Sequence, residues 1–446
     1  MNLRQRRVSP LALGLTLATL AGCGINTAYG PTALTANRDT LLRAAAAGGT
    51  REAKDGWIVV HVAGNPTERG QELGRLLAPE IRGVLQTVSQ GDSGYWQQQR
   101  AMATKLFASK ITPEYQAEMQ GIADGVDSTT ASVHAPSLPS LSGGAFAHVD
   151  YTDILALNST VDLMFSTAPG RLMPRWGNQF VLRRLGWDGK HLPCSAFIAT
   201  GAATKDGKIV VGHSTWAPGI AFAKYFNVLV DETPDQGHRF LMQCLPGAIA
   251  SNTDWYLNDA GIVMTETTLA DSGRYQDGDP IFERSREAIQ YSNSIDDALK
   301  ALSSRNDGDY PNEWLIGDMK TNEIAMFELA TAHQALWRSG KQQWYNGQVG
   351  FYGGYNYAKD PGVRSELGGY DDGRGRIWAN FYAKNKGRID ATVGRAGMQQ
   401  SGIDDYSLDG KVADSTSVAS LASWVDWGQP DSGSRWDLLG GAQRFL

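Results

Sequence analysis

From residue 194 onward the chain is a succession of short apolar, β-branched runs separated by turn residues, and this pattern limits its possible folds more than any other feature. "CSAFIATG" and "KIVVGHSTW" flank Asp206-Gly207, a dipeptide whose tolerance of positive φ favours a hairpin turn. "FNVLVDE", "RFLMQCLPG", "GIVMTETTL", "EWLIGDM" and "EIAMFELA" read as further strands, interrupted by a helix expected over 281–303. Upstream the texture changes. "WIVVHVAG" reads as a strand, "NPTERGQELGRLLAPEIRGVLQTVSQ" as a turn entering an amphipathic helix, and further helices are expected over 95–125 and 150–187. The simplest assembly is α+β, a mostly antiparallel sheet core with helices packed outside. A chain of 446 residues can bury such a core, and 42% hydrophobic with 20% charged residues suits a globular protein. The net charge of −6, with no basic stripe after residue 7, argues against nucleic acid as a partner.

The first residues, "MNLRQRRVSPLALGLTLATLAGC", place Arg4, Arg6 and Arg7 ahead of an apolar run from Leu11 to Ala21. That run is too short for a comfortable membrane span and reads as an export signal. Leu20-Ala21-Gly22-Cys23 resembles the bacterial lipobox. The resemblance implies a signal peptide over 1–22 and lipidation of Cys23. It also implies a lipid anchor in the bacterial cell envelope, on the periplasmic or outer-membrane side. An ordinary signal peptide with an incidental cysteine is the plain alternative. Residues 23–55, rich in Ala, Gly, Thr and Asn, read as a tether with a short helix near "RDTLLRAAAAGG", and 128–144 as an irregular surface segment. Export places the mature chain where thiols oxidise, so Cys194 and Cys244 could form one disulfide.

Common catalytic signatures fail. There is no Gly-x-Ser-x-Gly elbow and no His-Glu-x-x-His helix, and Cys194 and Cys244 are not spaced as a metal-ligand pair. "GAATKDGKI" imitates a phosphate loop but has Ile209 where a hydroxyl is needed, and "DGDP" and "YDDG" read as turns. Cys194 remains. A thiol is weakly ionised at neutral pH and needs a neighbouring base. A cut before Cys194 would put an α-amino group, with a reference pKa of about 7.7–8.0, on the same residue as the thiol. The Pro193–Cys194 link is a secondary amide with an ordinary carbonyl to attack. Without more, a cysteine opening an apolar run also fits a small buried hydrophobe.

"CSAFIATGAATKDGKIVVGHSTW" resembles the segment that opens the mature large chain in the phospholipase B-like family of N-terminal-nucleophile (Ntn) hydrolases, through Cys194, His213 and Trp216. "AGIVMTETTL" is similar to the family strand that carries Thr267 and Thr268, and "YPNEWLIGD" to the segment with Asn312, Trp314 and Asp318. "GGYNYAKDP" has Asn356 at the family's oxyanion-donating Asn, "YDDGRGRIW" has Arg374 at its active-site arginine, and "WGQPDSGSRW" repeats its Gly-Gln-Pro-Asp. The resemblance spans roughly 194–446. Upstream, "VHVAGNPTERGQELGRLLAPEI" and "EMQGIADG" resemble the self-cleaving acyl-coenzyme A:aminopenicillanic acid acyltransferase group. Pro193 stands where those relatives usually have Gly or Ser.

The resemblance implies a four-layer αββα sandwich, with 56–193 as the N-terminal small-chain part and 194–446 as the catalytic large chain. It implies self-cleavage between Pro193 and Cys194 into two chains that stay associated. Cys194 would then attack a linear amide, or a phospholipid ester, through an acyl thioester, with Asn356 stabilising the oxyanion. No cofactor or metal enters that route; the partner is a small-molecule acyl amide or lipid. His213 would orient the Cys194 neighbourhood or assist self-cleavage, against a plainer reading as a satisfied sheet histidine. Arg374 would offer its fork to a substrate carboxylate or hold Asp partners. Thr267, Thr268 and Asn312 would support the site, against plain strand and turn roles. Trp216, Trp255 and Trp314 would line an acyl pocket or simply fill core. The rival of another class is an inactive surface lipoprotein that binds glycans or peptides.

Overall fold

The computed structural model describes residues 48–54, 56–129, 146–166, 194–216, 225–269, 274–369, 371–403, 405, 407–427, 436–438 and 440–441. Cys23, Pro193, the 428–431 Gly-Gln-Pro-Asp and nearly all of the expected tether therefore lie outside the described residues.

Two sheets form the core. The first runs in the order β1 (Thr50–Lys54), β2 (Trp57–Gly64), β5 (Val228–Pro234), β6 (Phe240–Cys244), β7 (Trp255–Asn258), β8 (Ile262–Thr268), β9 (Asn312–Asp318), β10 (Glu323–Leu329) and β11 (Gln334–Arg338). The second runs β12 (Phe351–Gly354), β3 (Ser195–Ala199), β4 (Val210–Ser214), β13 (Asp409–Asp414), β14 (Trp424–Trp427), β15 (Trp436–Leu438) and β16 (Gly440–Gly441). Every pairing is antiparallel except that of β2 with β5, which is parallel. Since β2 precedes residue 194 and β5 follows it, the two halves of the chain share one sheet. Thr50–Lys54, inside the stretch whose composition suggests a tether, is an exposed edge strand on β2.

Alternation along β3 and β4 sorts side chains between two faces. Phe197, Ala199 and Val210 pack outward with Phe351, Trp378 and Phe381. Ala196, Ile198 and Val211 join the core shared with the larger sheet. The sheets meet so closely there that a Cβ at Gly317 on β9 would lie 3.0 Å from Ile198 of β3. Helices complete the outer layers. On the larger sheet lie α1 (Pro66–Leu76), α2 (Ala78–Val88), α3 (Ser93–Phe107), α4 (Pro113–Ser128), α5 (Tyr151–Asn158), α6 (Thr160–Phe165), α7 (Ile281–Tyr291) and α8 (Ile295–Ser303). After α9 (Pro361–Leu367), which touches β11 of the larger sheet, α10 (Arg374–Asn385) and α11 (Ala391–Met398) cover the smaller sheet, and α12 (Ser415–Ala419) follows β13. The result is the α+β, αββα layering.

Several single helices expected from periodicity are pairs. The 281–303 helix breaks at 292–294, where Ser294 leaves helical geometry to accept the Asp297 N–H with its side chain. The helix after Asn65 divides at Leu77, with Pro79 in the first turn of its second half, and the 95–125 helix divides before Thr112-Pro113. Asn65 itself closes a capping box with Glu68. Of the helix expected over 150–187, Tyr151–Asn158 and Thr160–Phe165 are described.

Candidate active site

Seven strands end or begin at one edge of the sandwich, and Cys194 stands there as the residue that precedes β3. The ends of β4, β8 and β12 bring Trp216, Thr267, Thr268 and Asn356 to it. The starts of β7, β9 and β13 bring Asp254, Asn312, Asp409 and Lys411. Cys194 is 6% exposed and unpaired, as is Cys244, so the disulfide that the export signal allows is not formed. Its Sγ lies 3.5 Å from the Trp216 N–H and 3.7 Å from the Trp216 carbonyl. Burial, with repulsion from Asp254, pushes the thiol up to about 12. In this setting Cys194 is a protonated thiol that must be activated before it attacks anything.

Arg374, at the start of α10, is buried and directs all five N–H groups at its own chain. Nε donates to Asp372 at 2.6 Å, Nη1 to the Cys194 carbonyl and to Ser195 Oγ at 3.0 Å, and Nη2 to the Tyr355 carbonyl at 2.8 Å and Asn356 Oδ1 at 2.9 Å. No fork is left for a substrate carboxylate, and the one carboxylate the guanidinium engages is that of Asp372. Burial lowers its pKa and the Asp372 charge opposes that.

Asn356 sits at φ +58°, a left-handed conformation that Asn tolerates better than most residues. Arg374 holds its Oδ1, and its Nδ2 donates to the Thr268 carbonyl at 2.7 Å. Partners of opposite kind on its two sides fix which way the amide points, and a second Nδ2 hydrogen remains. Thr267 Oγ1 lies 3.5 Å from the Asn356 N–H, and Thr268 Oγ1 lies 2.6 Å from the Tyr310 hydroxyl. Asn312 pairs with Thr268 across β8–β9; its Oδ1 accepts from Trp314 Nε1 at 2.9 Å, and its Nδ2 is buried without a hydrogen-bond partner among the described residues.

His213 is fully buried on β4, opposite Ala196 on one side and Lys411 on the other. Its Nε2 donates to the Glu266 carbonyl at 2.8 Å, which makes Nδ1 the unprotonated nitrogen. Burial and the Lys411 charge hold its pKa well below 6.5, so it is a neutral imidazole bridging the two sheets. Trp255 is core, its Nε1 donating to Ser423 at 2.9 Å. Trp314 borders a cavity of about 30 Å³ that it shares with Asp254, Tyr256 and Tyr310. That space holds about one water, not an acyl chain.

Sequence reasoning passed over a buried polar group beside the thiol. Lys411 Nζ donates to Thr215 Oγ1 at 2.6 Å, Asp409 Oδ2 at 3.0 Å and the Thr253 carbonyl at 3.1 Å, and burial lowers its pKa. Asp409 in turn accepts from the Thr215 N–H at 2.8 Å. The available signal was charge inside apolar runs, Glu266 in "IVMTETT" and Lys411 in "DGKVAD". No group of three or more His, Cys, Asp or Glu side chains suited to a metal ion occurs among the described residues.

The sequence model described as phospholipase B matches residues 89–339. The chain belongs to the phospholipase B family. The match begins well upstream of the resemblance read from motifs and ends before Asn356 and Arg374. Among curated relatives, an uncharacterised protein of Archaeoglobus fulgidus is 25% identical over 280 residues, covering 60% of this chain and 42% of that one. Phospholipase B-like protein G of Dictyostelium discoideum is 26% identical over 138 residues, covering 28% of this chain and 23% of its own. The chain thus spans less than half the length of the curated relatives it matches. Among solved structures, penicillin V acylase from Agrobacterium tumefaciens is 11% identical, with 52% of this chain and 83% of that chain covered and a TM-score of 0.34.

Proposed function

We propose that the chain is a cysteine hydrolase of the Ntn type, made as a precursor that cuts itself between Pro193 and Cys194. The observation that carries this reading is the placement of Cys194 at the head of β3, its carbonyl gripped by Arg374 and its thiol against the Trp216 backbone. After the cut the free α-amino group of Cys194 takes the thiol proton, which the buried thiol cannot shed unaided. The thiolate attacks an acyl carbon, the second Nδ2 hydrogen of Asn356 meets the developing oxyanion, and water releases the acyl group from the thioester. Arg374 keeps the Asn356 amide turned so that Nδ2, not Oδ1, is presented.

The substrate in this reading is a linear N-acyl amide, the bond class of the self-cut. The second reading is deacylation of a phospholipid ester, which membership in the phospholipase B family favours. In either case Cys23 anchors the exported enzyme in the cell envelope. The test is intact-mass analysis of parent and Cys194→Ala proteins, alone and with synthetic N-acyl amides or phospholipids. The proposal expects two fragments from the parent, one polypeptide from Cys194→Ala, and a mass increment of one acyl group on the larger parent fragment. One uncut polypeptide from both, with no acyl adduct, would leave an inactive binding lipoprotein instead.

A further inference from the structure

Asp409 and Lys411, two residues apart on β13, are fully buried and oppositely charged, and they have no part in the route above. A buried ion pair is a poor source of stability, because the loss of water around two charges offsets their attraction. What this pair holds is Thr215, the first residue beyond β4. The Thr215 N–H donates to Asp409 Oδ1 at 2.8 Å, and its carbonyl accepts from the Leu408 N–H at 2.8 Å. Its Oγ1 accepts from Lys411 Nζ at 2.6 Å and donates to the Thr253 carbonyl at 3.2 Å. Every polar group of Thr215 is therefore bonded. The pair is fixed in its turn. The other two Lys411 hydrogens go to Asp409 Oδ2 at 3.0 Å and the Thr253 carbonyl at 3.1 Å, and Gln243 Nε2 donates to the same Asp409 oxygen at 2.8 Å. The Thr215 carbonyl and the Trp216 N–H are two ends of one planar peptide group, so fixing the first aims the second. That N–H points at Cys194 Sγ, 3.5 Å away. Its bond to sulfur strengthens when sulfur is ionised, whereas the Trp216 carbonyl, 3.7 Å from Sγ, can only accept the proton of the neutral thiol.

We propose that Asp409 and Lys411 are positioning residues for the nucleophile: they clamp Thr215 so that the Thr215–Trp216 peptide keeps its N–H on Cys194 Sγ and stabilises the thiolate. The proposal rests on the reading of Cys194 as the nucleophile and adds the groups that hold the sulfur once its proton has left. The clamp itself neither takes nor gives a proton. With all three hydrogens of its ammonium group engaged inside the protein, Lys411 is not a binding group for a substrate anion either.

The experiment uses the full chain and reads the thiolate through the rate at which methyl methanethiosulfonate modifies Cys194 from pH 6 to 9, with peptide mass mapping to tell Cys194 from Cys244. One variant combines Asp409→Leu with Lys411→Met, which leaves no lone charge in the core. A second, Thr215→Val, removes only the hydroxyl, and Thr215→Ser puts it back. The other titratable groups acting on the thiol or facing Lys411, namely Asp254, Glu266, Tyr310, Arg374 and His213, are the same in every variant. The double variant should be modified about tenfold more slowly across this range, as if the thiol titrated about one pH unit higher for want of one hydrogen bond to a charged group. Thr215→Val should be slower by about threefold, the effect of one neutral hydrogen bond, and Thr215→Ser should recover the parent rate. A pair that served only to hold the fold would move the rate the other way, because a loosened turn admits reagent to a buried thiol. If the double variant does not fold, the two Thr215 variants carry the test. Modification at the parent rate or faster in the folded variants overturns the proposal. Fragment formation and acyl adducts in the parent test the underlying reading separately. A parent that forms neither, while the variants still slow the thiol, would sink the hydrolase reading and uphold the clamp on the sulfur.

Discussion

Arg374 ties the strand that carries the nucleophile to the loop that carries Asn356, and its planar fork is what lets one side chain do both. A lysine has three donors at a single nitrogen and cannot reach Asp372, the Cys194 carbonyl and Asn356 together. Arg374→Lys should therefore keep a charge opposite Asp372 yet slow fragment formation by at least about tenfold, on the order of the loss of one charge-assisted hydrogen bond; unchanged kinetics in a folded variant would contradict this. A second prediction concerns Glu283. Its Oε1 accepts from the Thr112 N–H at 2.9 Å, its Oε2 is buried without a hydrogen-bond partner among the described residues, and burial raises its pKa from 4.5 to about 8. The folded chain thus holds a proton there that the unfolded chain releases. The contribution is fully present below about pH 4.5 and is lost as pH rises towards 8. Glu283→Gln should gain melting temperature relative to the parent between pH 5 and pH 8, and a difference that is flat with pH would sink the assignment. Cys194, His213, Asn356 and Arg374 were readable as candidates because they sit in short motifs. Asp254, Asp409 and Lys411 were not, because their neighbours in space belong to β8, β4 and the Thr215 turn.

Among the elements, α1 and α4 depend on glycine. A Cβ at Gly70 would come within 2.2 Å of the Glu118 carbonyl oxygen, at Gly74 within 2.1 Å of the Ile122 carbonyl oxygen, and at Gly125 within 2.2 Å of the Gln71 carbonyl oxygen. The backbones touch, so no side chain can be accommodated by a rotamer change. Gly74→Ala should destabilise the protein by about 1–3 kcal/mol, the usual range for overpacking, as read by denaturant melts; a neutral result would mean the helices are not packed this way. The same glycines stand in "RGQELGR" and "QGIADGV", stretches that the sequence reading took as resemblance and as amphipathic helix without seeing the reason for them. The strands were legible from β-branched runs and turn dipeptides. Helix breaks at 292–294 and at Leu77 were not, because Ser294 and Pro79 act on backbone geometry without interrupting the apolar period.

At the scale of the whole molecule, the two halves of the chain are woven together. β2 from the first half pairs in parallel with β5 from the second. Beneath it Arg69 and Glu118 meet Glu232 and Arg286, all buried, with Arg69–Glu118 at 2.7 Å, Arg69–Glu232 at 2.9 Å and Arg286–Glu118 at 2.9 Å. Removing one partner from such a group strands a charge in the core, which typically costs about 3–5 kcal/mol. A cut before Cys194 should therefore leave both fragments migrating together in size-exclusion chromatography and separating only in denaturant. Fragments that part in native buffer would show that the sheet does not hold them. The central claim remains chemical: Cys194 becomes a chain terminus. N-terminal sequencing of the purified parent protein tests it most directly. The account predicts a fragment that begins Cys-Ser-Ala-Phe and is absent from Cys194→Ala; a parent protein with no such terminus, identical in mass to Cys194→Ala apart from the one substitution, would contradict it.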